Sequence, residues 1–430
     1  MSRLKSFIVL TLGNKWVHVA ALIIYYALMV REYYNFVCPH FSHLRFKWHY
    51  STASILIGTV LIALLSVCVF KLRHSSGFAH ALAVFVSVLF CVPSIVLYQF
   101  GSCSIFPCLY SLLFIFLISI SLPNIPSHTV PTVPQRYRVP LLAALAGIMI
   151  IPFFFVFGFN FDFSVFSMGQ EIYTARAAAR ARSTTLTSYL FGPLTKVLLP
   201  ILLVIGLARK NWILVFLSIA ALLYIFLVNP HKFVFLSVFL IILFFFFDDY
   251  NLKSGIALCG VVLMIGASAL FTFVSGNILP ESILVRRMFF VPAQLSSAYF
   301  SFFDNNHIYL SHSILHHFIE YPYHLDPPHV IGLYMYGRTN VSCNTGFIGD
   351  GFMNFGHFGA LLFTIGTAAV FRFLESLRLK PEFFGVILLT LFTFLNSAFL
   401  TSLLTHGVIF LMIVALFFLK TDKDIGENEK

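Results

Sequence analysis

Two polar segments of a mostly apolar chain carry clustered arginines: Arg176 and Arg180 in EIYTARAAARARST, and Arg286 and Arg287 in ESILVRRMFFVPAQL, with Arg338 further on in GLYMYGRTN. Guanidinium groups grip phosphate oxygens through paired hydrogen bonds and stay charged at every working pH, so such clusters suit a phosphate or diphosphate. The alanines of the first segment favour helix; Arg176 and Arg180, four residues apart, then share a face, and Arg182 points elsewhere. The same helix also suits a second role, lying on anionic headgroups with its arginines snorkelling. Lys196, after Gly192 and Pro193, and Lys232, after Asn-Pro-His, stand at apolar-run boundaries and add positive charge to an outward-facing cavity.

The acid–base candidates are His312 in SHSI and Asp350 in NTGFIGDGFMNFGHFG. Histidine titrates near neutrality and suits removal of a proton from a hydroxyl. His307, His316, His317, His324 and His329 share the segment; His312 and His316 have the i, i+4 spacing of a helical metal pair, but no H-E-x-x-H accompanies them and no metal site is expected. Arg286 and Arg287 lie beside residues that dip into the bilayer, where an unpaired charge is costly, and Glu281 and Asp304 are nearby protein anions. The glycines of Asn344 to Gly359 either bring irregular backbone close to a substrate or allow close helix packing. Asn344, Asp350 and Asn354 offer hydrogen bonds of the kind sugars use, with Phe347, Phe352 and Phe355 as apolar surface.

The elements that must position these groups are transmembrane helices. The chain is 59% hydrophobic and only 10% charged, where a soluble domain carries roughly a quarter charged residues. Apolar runs of about 17 to 22 residues, enough to cross a hydrocarbon core of about 30 Å, fall near 12–31, 51–72, 77–97, 103–122, 139–158, 190–208, 211–228, 231–248, 254–275, 356–374, 383–400 and 404–420. They predict an all-α polytopic protein of about 12 spans forming a single transmembrane domain over residues 1–430. The N-terminal run, preceded by Arg3 and Lys5 without a small-residue cleavage site, reads as an uncleaved anchor. With both termini cytoplasmic, Lys71, Arg73, Arg136, Arg138, Arg209, Lys210, Lys253, Arg372, Arg378 and Lys380 fall inside, a modest positive-inside bias.

Three outer segments are too long for turns: Arg31 to Tyr50, 159–189 with its arginine-rich helix, and 276–355, the largest. The proline-rich stretch from Pro123 to Arg138 reads as an extended cytoplasmic linker. The asymmetry places the chemistry outside the cytoplasm. No internal repeat is visible, which argues against a transporter of inverted repeats. The seven cysteines form no C-x-x-C pair; a bridge from Cys38 or Cys103 to Cys343 is geometrically possible. Asp422 and Asp424 read as solvated residues of a charged tail.

The ordered set EIYTAR, TSYLFGPLTKVLLP, HK, RRMFFVPAQLSSAYFSFF, SHSI, YPY, IGLY and NTGFIGDGFMNFGHFG resembles the bacterial O-antigen polymerases of the Wzy type, over roughly Asp162 to Gly359. The resemblance implies a GT-C-like membrane fold related to the O-antigen ligases, at the periplasmic face of the inner membrane. It implies transfer of a growing glycan from undecaprenyl diphosphate to the non-reducing end of the next lipid-linked repeat unit, with no metal, cofactor or nucleotide sugar. On this resemblance His312 is the first choice of base and Asp350 the second. Arg176, Arg180, Arg286, Arg287, Arg338, Lys196 and Lys232 meet diphosphate, and Asn344, Asn354 and Tyr323 meet sugar. The implied partners are lipid-linked oligosaccharides, membrane lipids, and a chain-length regulator and flippase of the same pathway, with no nucleic acid. An O-antigen ligase, which uses the same donor, is the nearest alternative. A lipid-linked oligosaccharide flippase or other transporter predicts charged residues spread through the spans and substantial polarity on both faces, whereas here the spans are nearly free of acids and the polar mass is on one face.

Overall fold

The computed structural model describes residues 11–71, 77–120, 131–159, 161, 163–167 and 171–420. The basic residues before the first apolar run, Arg73, most of the proline-rich linker, Asp162 and the Asp422–Asp424 tail lie outside them. Among the described residues the protein is helical and contains no strand, only an isolated bridge between His49 and Gly101.

In chain order the main helices are α1 (Lys15–Glu32), α2 (Thr52–Lys71), α3 (Ala79–Phe100), α4 (Phe106–Ser119), α5 (Gln135–Phe157), α6 (Glu171–Arg182), α7 (Thr185–Ala208), α8 (Trp212–Val228), α9 (Lys232–Phe245), α10 (Tyr250–Ser275), α11 (Val291–Phe302), α12 (Pro327–Tyr336), α13 (Phe347–Ser376), α14 (Pro381–Asn396) and α15 (Phe399–Leu419). Seven of these, α2, α3, α5, α7, α10, α13 and α15, are long and apolar enough to cross a membrane; α4, α8, α9 and α14 are shorter apolar helices. All coincide with apolar runs of the sequence.

Local chemistry sets several boundaries. Asn14, Asn211 and Asp249 cap α1, α8 and α10 by accepting from backbone N–H groups of the first turn, at 2.9, 3.1 and 2.8 Å. Thr184 and Thr187 form a reciprocal capping box at the start of α7. Gly276, at φ +69°, ends α10 in the left-handed conformation.

The contacts divide the chain into two compact units. The first holds Met1–Ser121, Asp249–Arg372 and Phe394–Phe399; the second holds Leu122–Asp248, Phe373–Thr393 and Leu400–Lys430. Each unit draws on three separate stretches of the chain, and hydropathy, which runs evenly along it, marks no boundary between them. In the first, 94% of the most apolar stretch of α3 is buried, against 28% for α2 and 22% for α10. α3 is an internal helix, whereas the other two present most of their apolar surface outward, as a lipid-facing helix does.

Candidate functional site

Asp350 and Asn354 organise the first unit. Asp350 is 2% exposed and Asn354 fully enclosed, four residues apart in the first turns of α13. Asn354 Nδ2 donates to Asp350 Oδ1 at 3.0 Å, and the Phe399 backbone N–H donates to Asp350 Oδ2 at 2.7 Å. The other end of the Asn354 amide, Oδ1, accepts from Leu310 N at 2.9 Å, while its backbone carbonyl accepts from Tyr309 N at 3.1 Å. Tyr309 and Leu310 are both left-handed, at φ +49° and +58°, a conformation that costs of order 1–3 kcal/mol each in a non-glycine residue and persists only when held. Both ends of the Asn354 amide are therefore taken up within the protein. Asn354 holds a strained loop, and is held in turn by Asp350.

That loop delivers His312, half-buried, with its ring 6.1 Å from that of Tyr321 and its Nδ1 enclosed without a hydrogen-bond partner. Burial holds its imidazolium below the ordinary histidine pKa, and Asp326 partly opposes this. The imidazole is thereby kept neutral, the form that accepts a proton. Residues 309–318 are a series of turns, so His312 and His316 are not on one helical face and the metal-pair spacing has no helix to act through. Tyr323 is half-buried, its ring 5.7 Å from Phe302 and 5.6 Å from Tyr321; Asn344 is exposed.

The glycine-rich segment is helical on either side of one break, at Phe355 and Gly356, the latter at φ +61°, ψ −148°. A Cβ at Gly356 would stand 2.7 Å from His307 Nε2, and Gly351 and Gly359 pack backbone against backbone. Gly351 and Gly359 thus serve close packing, and Gly356 supplies the irregular backbone of the break.

Arg286 and Arg287 occupy a π-helical stretch, Ser282–Phe290, a form frequent at functional sites. Arg286 is 9% exposed, donates from Nε and Nη2 to Ser282 Oγ at 3.2 Å, and lies over the Phe41 ring at 4.2 Å. Arg287 and Arg338 are exposed. Two groups the sequence reading passed over join them. Arg45, itself left-handed at φ +67°, donates from Nη2 to Tyr334 O at 2.8 Å and ties the segment between α1 and α2 to α12. Glu32 is buried at the end of α1, beside Glu281. Glu281, considered above as an arginine partner, thus lies beside another acid. Nothing in the local sequence announces that pair, since its members are far apart in the chain.

The second unit collects the other cations. Arg176 on α6 is half-buried and donates from Nε to Pro230 O at 3.0 Å; burial lowers its pKa, and Tyr173 opposes. Lys232 lies 5.2 Å from the Tyr173 ring. Lys196, in the π-helical stretch Pro193–Leu198 of α7, lies 5.9 Å from the Phe233 ring. Arg176 and Lys196 act electrostatically on His231, and Lys196 and His231 on His406. Gly192 packs directly against the Thr405–His406 backbone. Arg180 is exposed, whereas Arg182 lines a 270 Å³ cavity with Phe161, Ala178 and Pro230. Phe161 also lines a second, apolar cavity of 510 Å³ among Ala146, Ile150, Phe154, Leu199 and Tyr224. Arg182 is the cation in the wall of the smaller cavity, and Arg176 meets that wall only through its hydrogen bond to Pro230 O.

Four of the seven predicted cations, Arg176, Arg180, Lys196 and Lys232, belong to the second unit, and Arg286, Arg287 and Arg338 to the first, with His312 and Asp350. The seven cysteines, Cys343 included, are free, so the possible bridge is not made. No family model, no curated protein and no solved structure matches the chain.

Proposed function

We propose that this protein is a membrane glycosyltransferase that polymerises lipid-linked oligosaccharide repeat units, an O-antigen polymerase, on the periplasmic face of a bacterial inner membrane. The observation that carries the reading is a pair of cavities in the second unit that share Phe161 in their walls, one apolar and the other carrying Arg182. Phe161 lines both the 510 Å³ apolar cavity and the smaller one beside Arg182, and Arg176 is bonded to Pro230 in the wall of the latter. An isoprenoid diphosphate has that same division, an apolar chain ending in concentrated negative charge.

In this reading the five apolar helices α1, α4, α8, α9 and α14 join the seven longer ones to make twelve crossings, in a GT-C-like arrangement. Arg286, Arg287 and Arg338, in the unit that also holds His312, meet the donor diphosphate, and fixed cations in a water-poor site stabilise the charge that develops on it as it leaves. Arg176, Arg182, Lys196 and Lys232 of the second unit meet the diphosphate of a lipid-linked repeat unit. His312 takes the proton from the acceptor hydroxyl as that oxygen bonds to the anomeric carbon and the carbon–phosphate oxygen bond breaks. Asp350 and Asn354 are positioning residues that hold the His312 loop, while Tyr323 and Asn344 offer a stacking face and an amide to sugar.

The test is the ladder of lipopolysaccharide chain lengths in a strain lacking the gene, complemented with wild type, Arg176→Ala, Arg287→Ala or His312→Ala at matched membrane abundance. Single-repeat chains in the deletion strain, and failure of all three variants to restore the ladder, are the expected results. Long polymer that accumulates unattached to core assigns ligation instead. A full length distribution without the gene, in a strain with no second polymerase, sinks the proposal and makes transport the leading reading.

A further inference from the structure

At the ends of four apolar helices the second unit contains a basic cavity that plays no part in the proposed transfer. Its volume is 540 Å³, and its wall carries Arg138 from the start of α5, Arg209 just past α7, Lys380 and Glu382 beside the start of α14, and Lys420 just past α15. Four cations thus face one acid, with apolar side chains such as Phe383 completing the wall.

Chain order explains why the four ends meet. Helices α5 and α14 begin, and α7 and α15 finish, on the side that the basic flanks assign to the cytoplasm. A charge that only orients a span needs to be on the correct side; these four also converge on one recess. The segment before α5 is pinned there, Val133 N donating to Phe417 O at 2.9 Å and Arg138 Nε to Val133 O at 2.8 Å. The 23-residue α5 also starts at Pro134 without a side-chain cap, so the positive end of its dipole adds to the same wall.

We propose that this cavity binds the phosphate headgroup of an anionic phospholipid from the cytoplasmic leaflet. Basic pockets between span ends on that side recognise such headgroups, and the volume lies in the range of small-molecule sites, roughly 300–1,000 Å³. The mixture of cations and apolar wall at helix ends suits a ligand that is charged at the head and apolar below it, rather than a freely soluble anion. The inference is independent of the polymerase reading, because it concerns other residues and the opposite ends of the same helices.

Native mass spectrometry of the full chain, released from micelles holding equal phosphatidylglycerol and phosphatidylcholine, tests it. Wild type retains phosphatidylglycerol in preference. Lys380→Gln lowers that retention by about fivefold and Arg138→Gln with Lys380→Gln by about thirtyfold, on the usual contribution of one basic residue near a membrane surface. Lys380 is exposed, so the single variant decides the matter if the double variant does not fold. Equal retention of the two lipids, or retention that neither variant changes, overturns the proposal. Displacement of phosphatidylglycerol by millimolar glycerol phosphate overturns it too, in favour of a soluble phosphate ligand.

Discussion

At the scale of single residues, the loop around His312 joins strain, burial and charge. Two left-handed residues precede it, and its Nδ1 is enclosed. A base works only when neutral, and burial lowers the pKa of His312, so the neutral form persists to lower pH than in an exposed histidine. The acidic limb of a kcat/KM profile for polymerisation should then lie below the ordinary value of about 6.5, activity falling as pH drops through the lowered pKa. Asp326→Asn, which removes the opposing carboxylate, should shift that limb further down. A limb above the ordinary value, or one unmoved by Asp326→Asn, would assign the proton to another group. The neighbouring Asp350 shows what residue type alone leaves open: an acid in a glycine-rich segment has the chemistry of a base, yet here both its oxygens accept from the protein.

Among the elements, α13 is the one whose shape depends on a single position. Gly356 combines a positive φ with a ψ near −150°, a region essentially reserved for glycine, and its missing Cβ leaves room for His307. Gly356→Ala should lower stability by about 1–3 kcal/mol through backbone strain alone, with a further loss from the His307 contact. Thermal unfolding in detergent, with His307→Ala as the second arm of a double-mutant cycle, separates the two: truncating His307 should restore the contact part and leave the strain. Full recovery in the double variant would show that the backbone there is unstrained. That a break occurs in NTGFIGDGFMNFGHFG was legible in its glycines. Which glycine breaks the helix was not, because Gly351 and Gly359 are chosen by what packs against them.

For the whole molecule, the topology is the statement with the widest reach. In a cysteine-free background, single cysteines at Asn340, in the large outer segment, and at Lys380, at the rim of the basic cavity, should react oppositely with a membrane-impermeant maleimide added to spheroplasts. Position 340 should label in intact cells and position 380 only after lysis. Labelling of both from outside would invert part of the twelve-span order and, with it, the cytoplasmic assignment of the cavity. The seven native cysteines are free and partly accessible, which is why the background must lack them.

Hydropathy and charge are additive and local, so the amino-acid sequence by itself determined that this is a helical membrane protein, where its apolar helices run, and that basic groups crowd two of the segments between them. Convergence is neither local nor additive. Asp350 meets the Phe399 N–H, Arg45 meets Tyr334, Glu32 meets Glu281, and Arg138, Arg209, Lys380 and Lys420 meet one another's cavity across long stretches of chain. Only the packing of helices decides such pairings, because no periodicity or spacing in the chain encodes which helix ends will share a wall.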